Sequence, residues 1–219
     1  MCLQYEALVE IQSRLLEVSL GLHDKPLWTA SSKGFYVSSE TWELLREKEE
    51  TVRWKLVWFP LAIPKQAFIL WLAMQDRLIT GGYKGDVKCL FCHNQTESRE
   101  HLFFECSFSY RVWKFCMCCC RVDNPPVIWD EIMQLGISNW GNKALKGLLC
   151  RLVLGFVVYN LWRTRNDIKN SGQPNTEEQI LKKILWEVRA RIVEKRKFPK
   201  TRGNLALVSL WNLPADLLL

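Results

Sequence analysis

Apolar positions recur at helical spacing along most of the chain. Leu8, Ile11, Leu15 and Val18 share one face and predict an N-terminal helix within residues 1–25, ended by Gly21 and the polar His23-Asp24-Lys25-Pro26. The period then breaks. Pro26-Leu27-Trp28-Thr29, a Ser-Ser-Lys-Gly turn and Gly34-Phe35-Tyr36-Val37 read as a short β-hairpin. Ser38 or Ser39 can cap a helix running through Trp42, Leu44 and Leu45 into the charged stretch 46–50. Pro64 opens a helix whose broad apolar face holds Ala67, Phe68, Leu70, Trp71, Met74 and Leu78, and Gly81-Gly82 stop it. Another helix is expected from about Ser107 to Cys119, carrying Tyr110, Val112, Trp113 and Phe115.

Asn124-Pro125-Pro126 breaks the chain and is the expected domain boundary. A short helix over 127–135 leads to a long one over 143–170, ended by Ser171-Gly172-Gln173-Pro174. Asn175 or Thr176 with Glu177 and Glu178 starts the last predicted helix, whose apolar face is Ile180, Leu181, Ile184, Leu185, Val188 and Ile192. The organisation read from this pattern is an N-terminal helix (1–25), a central region (26–122), a C-terminal helical region with a basic last helix (126–198), and a loosely ordered tail (199–219). The fold class is mainly α, with one short hairpin and one metal knuckle between two helices. The longest apolar run, Leu148 to Trp162, contains Arg151 and follows Lys143 and Lys146, so it falls short of the ~20 clean residues of a membrane span. It reads as a buried core helix, with a membrane segment as the second reading.

Composition sharpens this. Eleven tryptophans in 219 residues argue for a packed chain over a disordered one. Nine cysteines would suit a secreted disulfide scaffold, but Met1-Cys2-Leu3-Gln4-Tyr5-Glu6 lacks the basic start and apolar run of a signal peptide. An odd cysteine count with metal-type spacing fits a reducing intracellular compartment, cytoplasm or nucleus. Positive charge is uneven: residues 1–150 carry 17 Lys and Arg against 17 Asp and Glu, so the whole excess of +7 lies in 151–219, with 13 against 6.

The candidate chemistry lies in CLFCHNQTESREHLFFEC, residues 89–106. Cys89 and Cys92 are two residues apart, His101 follows after eight more, and Cys106 after four more. Three thiolates and an imidazole are borderline-soft donors that can close a tetrahedron around one zinc ion. With four protein donors no position is left for water or substrate, so the site is structural. His93 is a competing donor, but it directly follows Cys92 and is expected to point away from a metal held by Cys89 and Cys92. A redox pair would want a thioredoxin-like strand–helix context, absent here. The neighbouring run Cys116-Met117-Cys118-Cys119-Cys120 has no close histidine and fans around a helix, which favours inert or oxidisable thiols over a second metal site.

The order of these landmarks resembles the zinc-binding region that follows the polymerase in plant LINE-type (non-LTR) retrotransposon reverse transcriptases. The resemblance rests on Trp28 before Ser31-Ser32-Lys33-Gly34-Phe35-Tyr36-Val37, on Trp42, and on Trp54-Lys55-Leu56-Val57-Trp58. It continues through Ile63-Pro64-Lys65 with Phe68 and Trp71, Arg77-Leu78, the four ligand candidates, Trp113, and Leu161-Trp162-Arg163-Thr164-Arg165-Asn166, and spans about 25–170. It implies zinc held by Cys89, Cys92, His101 and Cys106. Catalysis does not carry over: polymerisation needs a carboxylate pair for two metal ions, and the chain contains no Asp-Asp pair. No enzyme is expected.

A polar loop over 83–100 cannot bury enough apolar area to hold itself, so metal binding is expected to supply the folding free energy and to dock the flanking helices through Leu102, Phe103 and Phe104. Those residues are read as core more than as base-stacking platforms. For nucleic-acid contact the candidates are Lys182, Arg189, Arg191, Lys195, Arg196 and Lys197, extended by Lys200 and Arg202, a basic strip that can neutralise phosphates of RNA or DNA. With Glu178, Glu187 and Glu194 interspersed, an ordinary solvated helix face weighs equally. The alternative function is a zinc-stabilised protein-interaction module, its partner a protein, a second copy or the parent polymerase, met by the apolar stripe of the last helix. Hydrolase readings rank below both, since His23 and His93 have no triad-like partners.

Overall fold

The structure is a computed structural model, which describes residue 13 and residues 27–29, 31, 33–45, 54–78, 88–141, 144–172, 175–193 and 197–219. The N-terminal helix expected within 1–25 lies outside the described residues, apart from Ser13, which is helical. The chain divides into two compact units, 1–49 and 50–219.

In the first unit, α1 (Ser38–Leu45) follows a tight loop in place of the hairpin. The Trp28 amide donates to the Gly34 carbonyl at 2.8 Å, Ser31 donates to Trp28, and Gly34 donates to Ser31. Gly34 takes the left-handed conformation this closure needs, at φ 73°. Only three residues separate Gly34 from the start of α1, and the Val37 carbonyl already accepts from Thr41. The returning segment is therefore too short to pair as a strand. Instead the Trp28 indole donates to the Thr41 hydroxyl at 2.9 Å and meets the Tyr36 ring edge-on.

The second unit is helical: α2 (Trp54–Val57), α3 (Pro64–Met74), α4 (Ser107–Cys119), α5 (Trp129–Asn139), α6 (Leu145–Ser171), α7 (Glu177–Val193) and α8 (Arg202–Leu210). Three of the helix ends have a clear local cause. Extended Ile63 and then Pro64 open α3, as a proline at the first helical position should. Gly172, left-handed at φ 71°, ends α6 and donates back to Ile168. Thr176 and Gln179 form a reciprocal capping box on α7, each amide donating to the other's side chain at 2.9 and 3.2 Å.

The 27-residue α6 is the hub. It packs against α2, α3, α4, α5, α7 and α8. Leu149, Cys150, Val153, Leu154, Val157, Val158 and Leu161 are fully buried along it. By length and composition it passes as a membrane span, with mean hydropathy 1.4, yet 72% of that window is buried inside the unit. It is the core helix the sequence suggested. The Asn124-Pro125-Pro126 break lies against α4, where the Trp113 indole donates to the Pro126 carbonyl at 2.9 Å. Gly136 of α5 approaches α2 so closely that a Cβ there would meet Leu56 at 2.8 Å.

Residues 199–219 are not loose. Thr201 caps α8 by accepting from the Asn204 amide at 3.2 Å, and a parallel bridge joins Phe198 to Leu218. Leu207, Trp211, Leu213 and Leu217 are buried, because four large apolar groups so close in sequence gain more by joining the unit's core than the chain loses by ordering. The fully buried Trp211 also donates to the Cys119 carbonyl at 2.9 Å. Trp211→Ala is expected to lower stability by about 3–5 kcal/mol through the cavity and the orphaned carbonyl. Urea unfolding measures it, and an unchanged midpoint would return the tail to the loose state.

Candidate metal centre

The turn carrying the first two thiols is closed by its own backbone. Lys88 and Thr96 form an antiparallel bridge, Cys89 donates to the Gln95 carbonyl, and His93 donates to the Cys89 carbonyl at 2.8 Å. His93 sits at φ 57° and is exposed, outside the cluster, so it does not replace His101. The other two donors come from a π-helical turn, His101–Glu105. Ser98 starts it, its hydroxyl accepting from the His101 amide at 3.1 Å, and the Cys106 amide closes the wide turn on the His101 carbonyl. Single π-turns occur often at functional sites, and this one ends where Cys106 turns extended before α4. Leu102, Phe103 and Phe104, between the two ligands, are fully buried. They are core, as expected.

The ligand atoms of Cys89, Cys92, His101 and Cys106 all lie within 4.8 Å of one another. Cys89 Sγ is 3.9 Å from Cys106 Sγ, and Cys92 Sγ is 3.3 Å from His101 Nε2. Tetrahedral zinc with ordinary bond lengths would place two sulfurs about 3.8 Å apart, and a sulfur and an imidazole nitrogen about 3.6 Å apart. The four donors therefore have both the spacing and the softness for one zinc ion, and they fill its coordination.

Backbone amides reach the sulfurs of both Cys89 and Cys106, and their net outcome differs between the two. The Phe91 amide donates to Cys89 Sγ at 3.4 Å. Cys89 donates its thiol proton to Cys106, and this bond, with the Phe108 and Ser109 amides at the N-terminus of α4, lowers Cys106 to about 7. The same bond, followed by burial, holds Cys89 far above the usual thiol range. The two shifts are one event: the pair gives up its first proton from Cys106.

Two arginines that the spacing argument did not single out fix this loop to the helices. Arg165 on α6 bridges the buried Glu97 carboxylate at 2.6 Å, with side-chain exposures of 12% and 1%, and lies over the Trp162 ring. Arg99 donates to the Met74 carbonyl at the end of α3 and lies over the Trp129 ring of α5. Phe91 stacks on Phe108 at 4.7 Å, joining the turn to α4. Trp162, Arg165 and Asn166 belong to the segment used for the resemblance, so a signal for this clamp was present without its partner. His101 Nδ1 is buried without a hydrogen-bond partner among the described residues.

The basic strip is divided by the structure. Lys182 is exposed and paired with Glu178 at 2.7 Å, and Lys197 is exposed. Arg189 donates to the Trp211 carbonyl at 2.7 Å, and Arg191 to the Leu61 carbonyl at 2.9 Å. Lys195 and Arg196 lie outside the described residues. In the cysteine run, burial raises Cys116, and burial with a hydrogen bond to Cys150 raises Cys120. Such thiols stay protonated and weakly reactive. Among the described residues no second metal cluster occurs.

Two outcomes follow from this geometry. A thiol must lose its proton before it ligates, so each group protonated in the empty site costs about tenfold in affinity per pH unit. Cys89 contributes across the neutral range and Cys106 only below about 7. Zinc affinity, read by competition with a chromophoric chelator, should fall at least about tenfold from pH 8 to 7 and more steeply below; a flat profile would contradict the assignment. Arg165→Met should destabilise the zinc-loaded protein by about 3–5 kcal/mol by stranding Glu97, and adding Glu97→Met should recover most of that. A double variant no better than the single would show that the pair itself is not what Arg165 supplies.

No curated protein and no solved structure matches the chain. Residues 36–113, the stretch that contains all four zinc ligands, match the family described as zinc-binding in reverse transcriptase.

Proposed function

We propose that this chain is a non-catalytic, zinc-stabilised module that binds RNA or DNA, of the kind found in the C-terminal part of a non-LTR, LINE-type reverse transcriptase of plants. The observation that carries the reading is a closed four-donor site inside the stretch that matches reverse-transcriptase zinc-binding regions. The site's closure supports a structural metal, since a catalytic zinc keeps an open position. The positive excess of 151–219 supports a polyanionic partner, and the absence of an Asp-Asp pair from the sequence supports a role outside catalysis. Among the described residues eight cysteines form no disulfide, which suits a reducing intracellular setting.

The protein-interaction reading loses the surface first assigned to it, because Ile180, Ile184, Val188 and Ile192 are buried against the unit's own core. The test is fluorescence anisotropy of labelled single-stranded RNA and DNA with zinc-loaded protein. Three phosphate contacts would weaken binding about twentyfold between 50 and 200 mM salt. Cys89→Ser should lose both the zinc and the binding. Zinc retained with no affinity for either nucleic acid would overturn the reading and leave a protein partner.

A further inference from the structure

A polar cavity of about 180 Å³ lies between α6 and α7, outside the matched stretch and lined by none of the four metal donors. Asn160, Arg163, Thr164 and Asp167 line it from α6, and Gln179 and Lys183 from α7. The lining has two kinds of chemistry. Arg163 and Lys183 are cations, and the field of Lys65 reaches the same place: burial first, then Arg163 and Lys65, lower the Lys183 ammonium below the ordinary lysine value, with Glu187 and Asp167 opposing. A cation held in a partly desolvated, cation-crowded position gains when an anion arrives. Apart from Ile180, the rest of the lining is amide, hydroxyl and carboxylate, with Asp167 3.8 Å from Arg163 and Glu187 accepting from Asn160 at 3.2 Å. A bare anion would not need these groups. A ligand that carries hydroxyl and amine donors beside its negative charge would.

We propose that this cavity seats one ribonucleotide, its phosphate against Lys183 and Arg163 and its sugar hydroxyls and base edge against Asp167, Thr164, Asn160 and Gln179. At about 180 Å³ the open cavity takes the phosphate and sugar of one such unit, and the base extends through its mouth. Exposed Trp186 lies one helical turn beyond Lys183 on α7, where the next base of a strand can stack. The strand form of the proposal rests on the nucleic-acid reading above. It moves the contact from Arg189 and Arg191, which serve the Trp211 and Leu61 carbonyls, to residues lining an open cavity.

The experiment compares zinc-loaded wild type, Arg163→Gln/Lys183→Gln, Asp167→Asn, and the charge-matched control Lys55→Gln/Lys114→Gln, two exposed cations outside the cavity. The probes are a short single-stranded RNA, the same sequence as DNA, and a free ribonucleoside monophosphate. Circular dichroism and zinc content establish that each variant is folded. The double variant should lose RNA affinity at least about tenfold and show a shallower salt slope, while the control changes less than about twofold. Asp167→Asn should narrow the difference between RNA and DNA. Displacement of RNA by the monophosphate identifies a free nucleotide as a ligand in its own right, and loss in the double variant without displacement identifies a strand. Monophosphate binding that the double variant loses, in a protein that ignores RNA, keeps the cavity and removes the nucleic-acid reading. RNA binding that the double variant retains in full overturns the cavity. A wild type that binds none of the three probes overturns both.

Discussion

A helix that is apolar on nearly every side cannot stand in water, and the larger unit is built to satisfy that one constraint. Leu149, Cys150, Val153, Leu154, Val157, Val158 and Leu161 point in several directions around α6, and all are fully buried. One neighbour cannot cover such a surface, so six helices do. The C-terminal segment is recruited for the same reason. Arg163, Arg165 and Asp167 appear only in the last third of α6, where the covering thins and the helix becomes polar enough to hold a clamp and a cavity.

The metal loop belongs to this covering, though its outer part is made of residues that have no reason to fold. Lys88, His93, Asn94, Gln95, Thr96 and Ser98 are exposed, while Cys89, Leu102, Phe103, Phe104 and Cys106 are buried. An apolar strip five residues long cannot order a polar turn beside it. Metal binding can, at on the order of 10 kcal/mol in small zinc modules. The π-turn brings His101 and Cys106 to one side while pressing the aromatic residues between them into the core against Trp113 and Trp129. Ligation and core packing are therefore the same folding event. Glu97 extends that event to α6: its carboxylate is buried only because Arg165 meets it.

What the sequence made legible follows from the range of the interactions involved. The four ligands were readable because they lie within 18 residues and zinc dictates both donor type and number. The helix Ser107–Cys119 was readable because its apolar period and its flanking turns are local. The Trp28–Gly34 loop was misread as a hairpin because alternation in so few residues does not distinguish a strand from a closed turn; the start of α1 decided it. The order of 199–219 was missed because its cause is the exposed side of a helix up to 74 residues earlier, not its own composition. Glu97 and Arg165 lay 68 residues apart, with nothing local to join them.

The basic strip illustrates why a charge pattern in sequence is not yet a surface. On α7 the buried Ile180, Ile184, Val188 and Ile192 fix how the helix is rotated. At about 100° per residue, Arg191 lies about 60° from Val188 and is drawn to the core side, where it reaches the Leu61 carbonyl. Lys182 and Lys183 fall about 100° apart on the outer side of the helix, one turned to solvent beside Glu178 and the other toward α6. A seven-residue recurrence would have grouped Lys182 with Arg189, yet Arg189 meets Trp211 because the C-terminal segment folds back there. The cations of one helix thus divide into those that satisfy carbonyls at the ends of neighbouring segments and those left facing water or a cavity. The buried stripe makes that division, and only the second group is available to a partner.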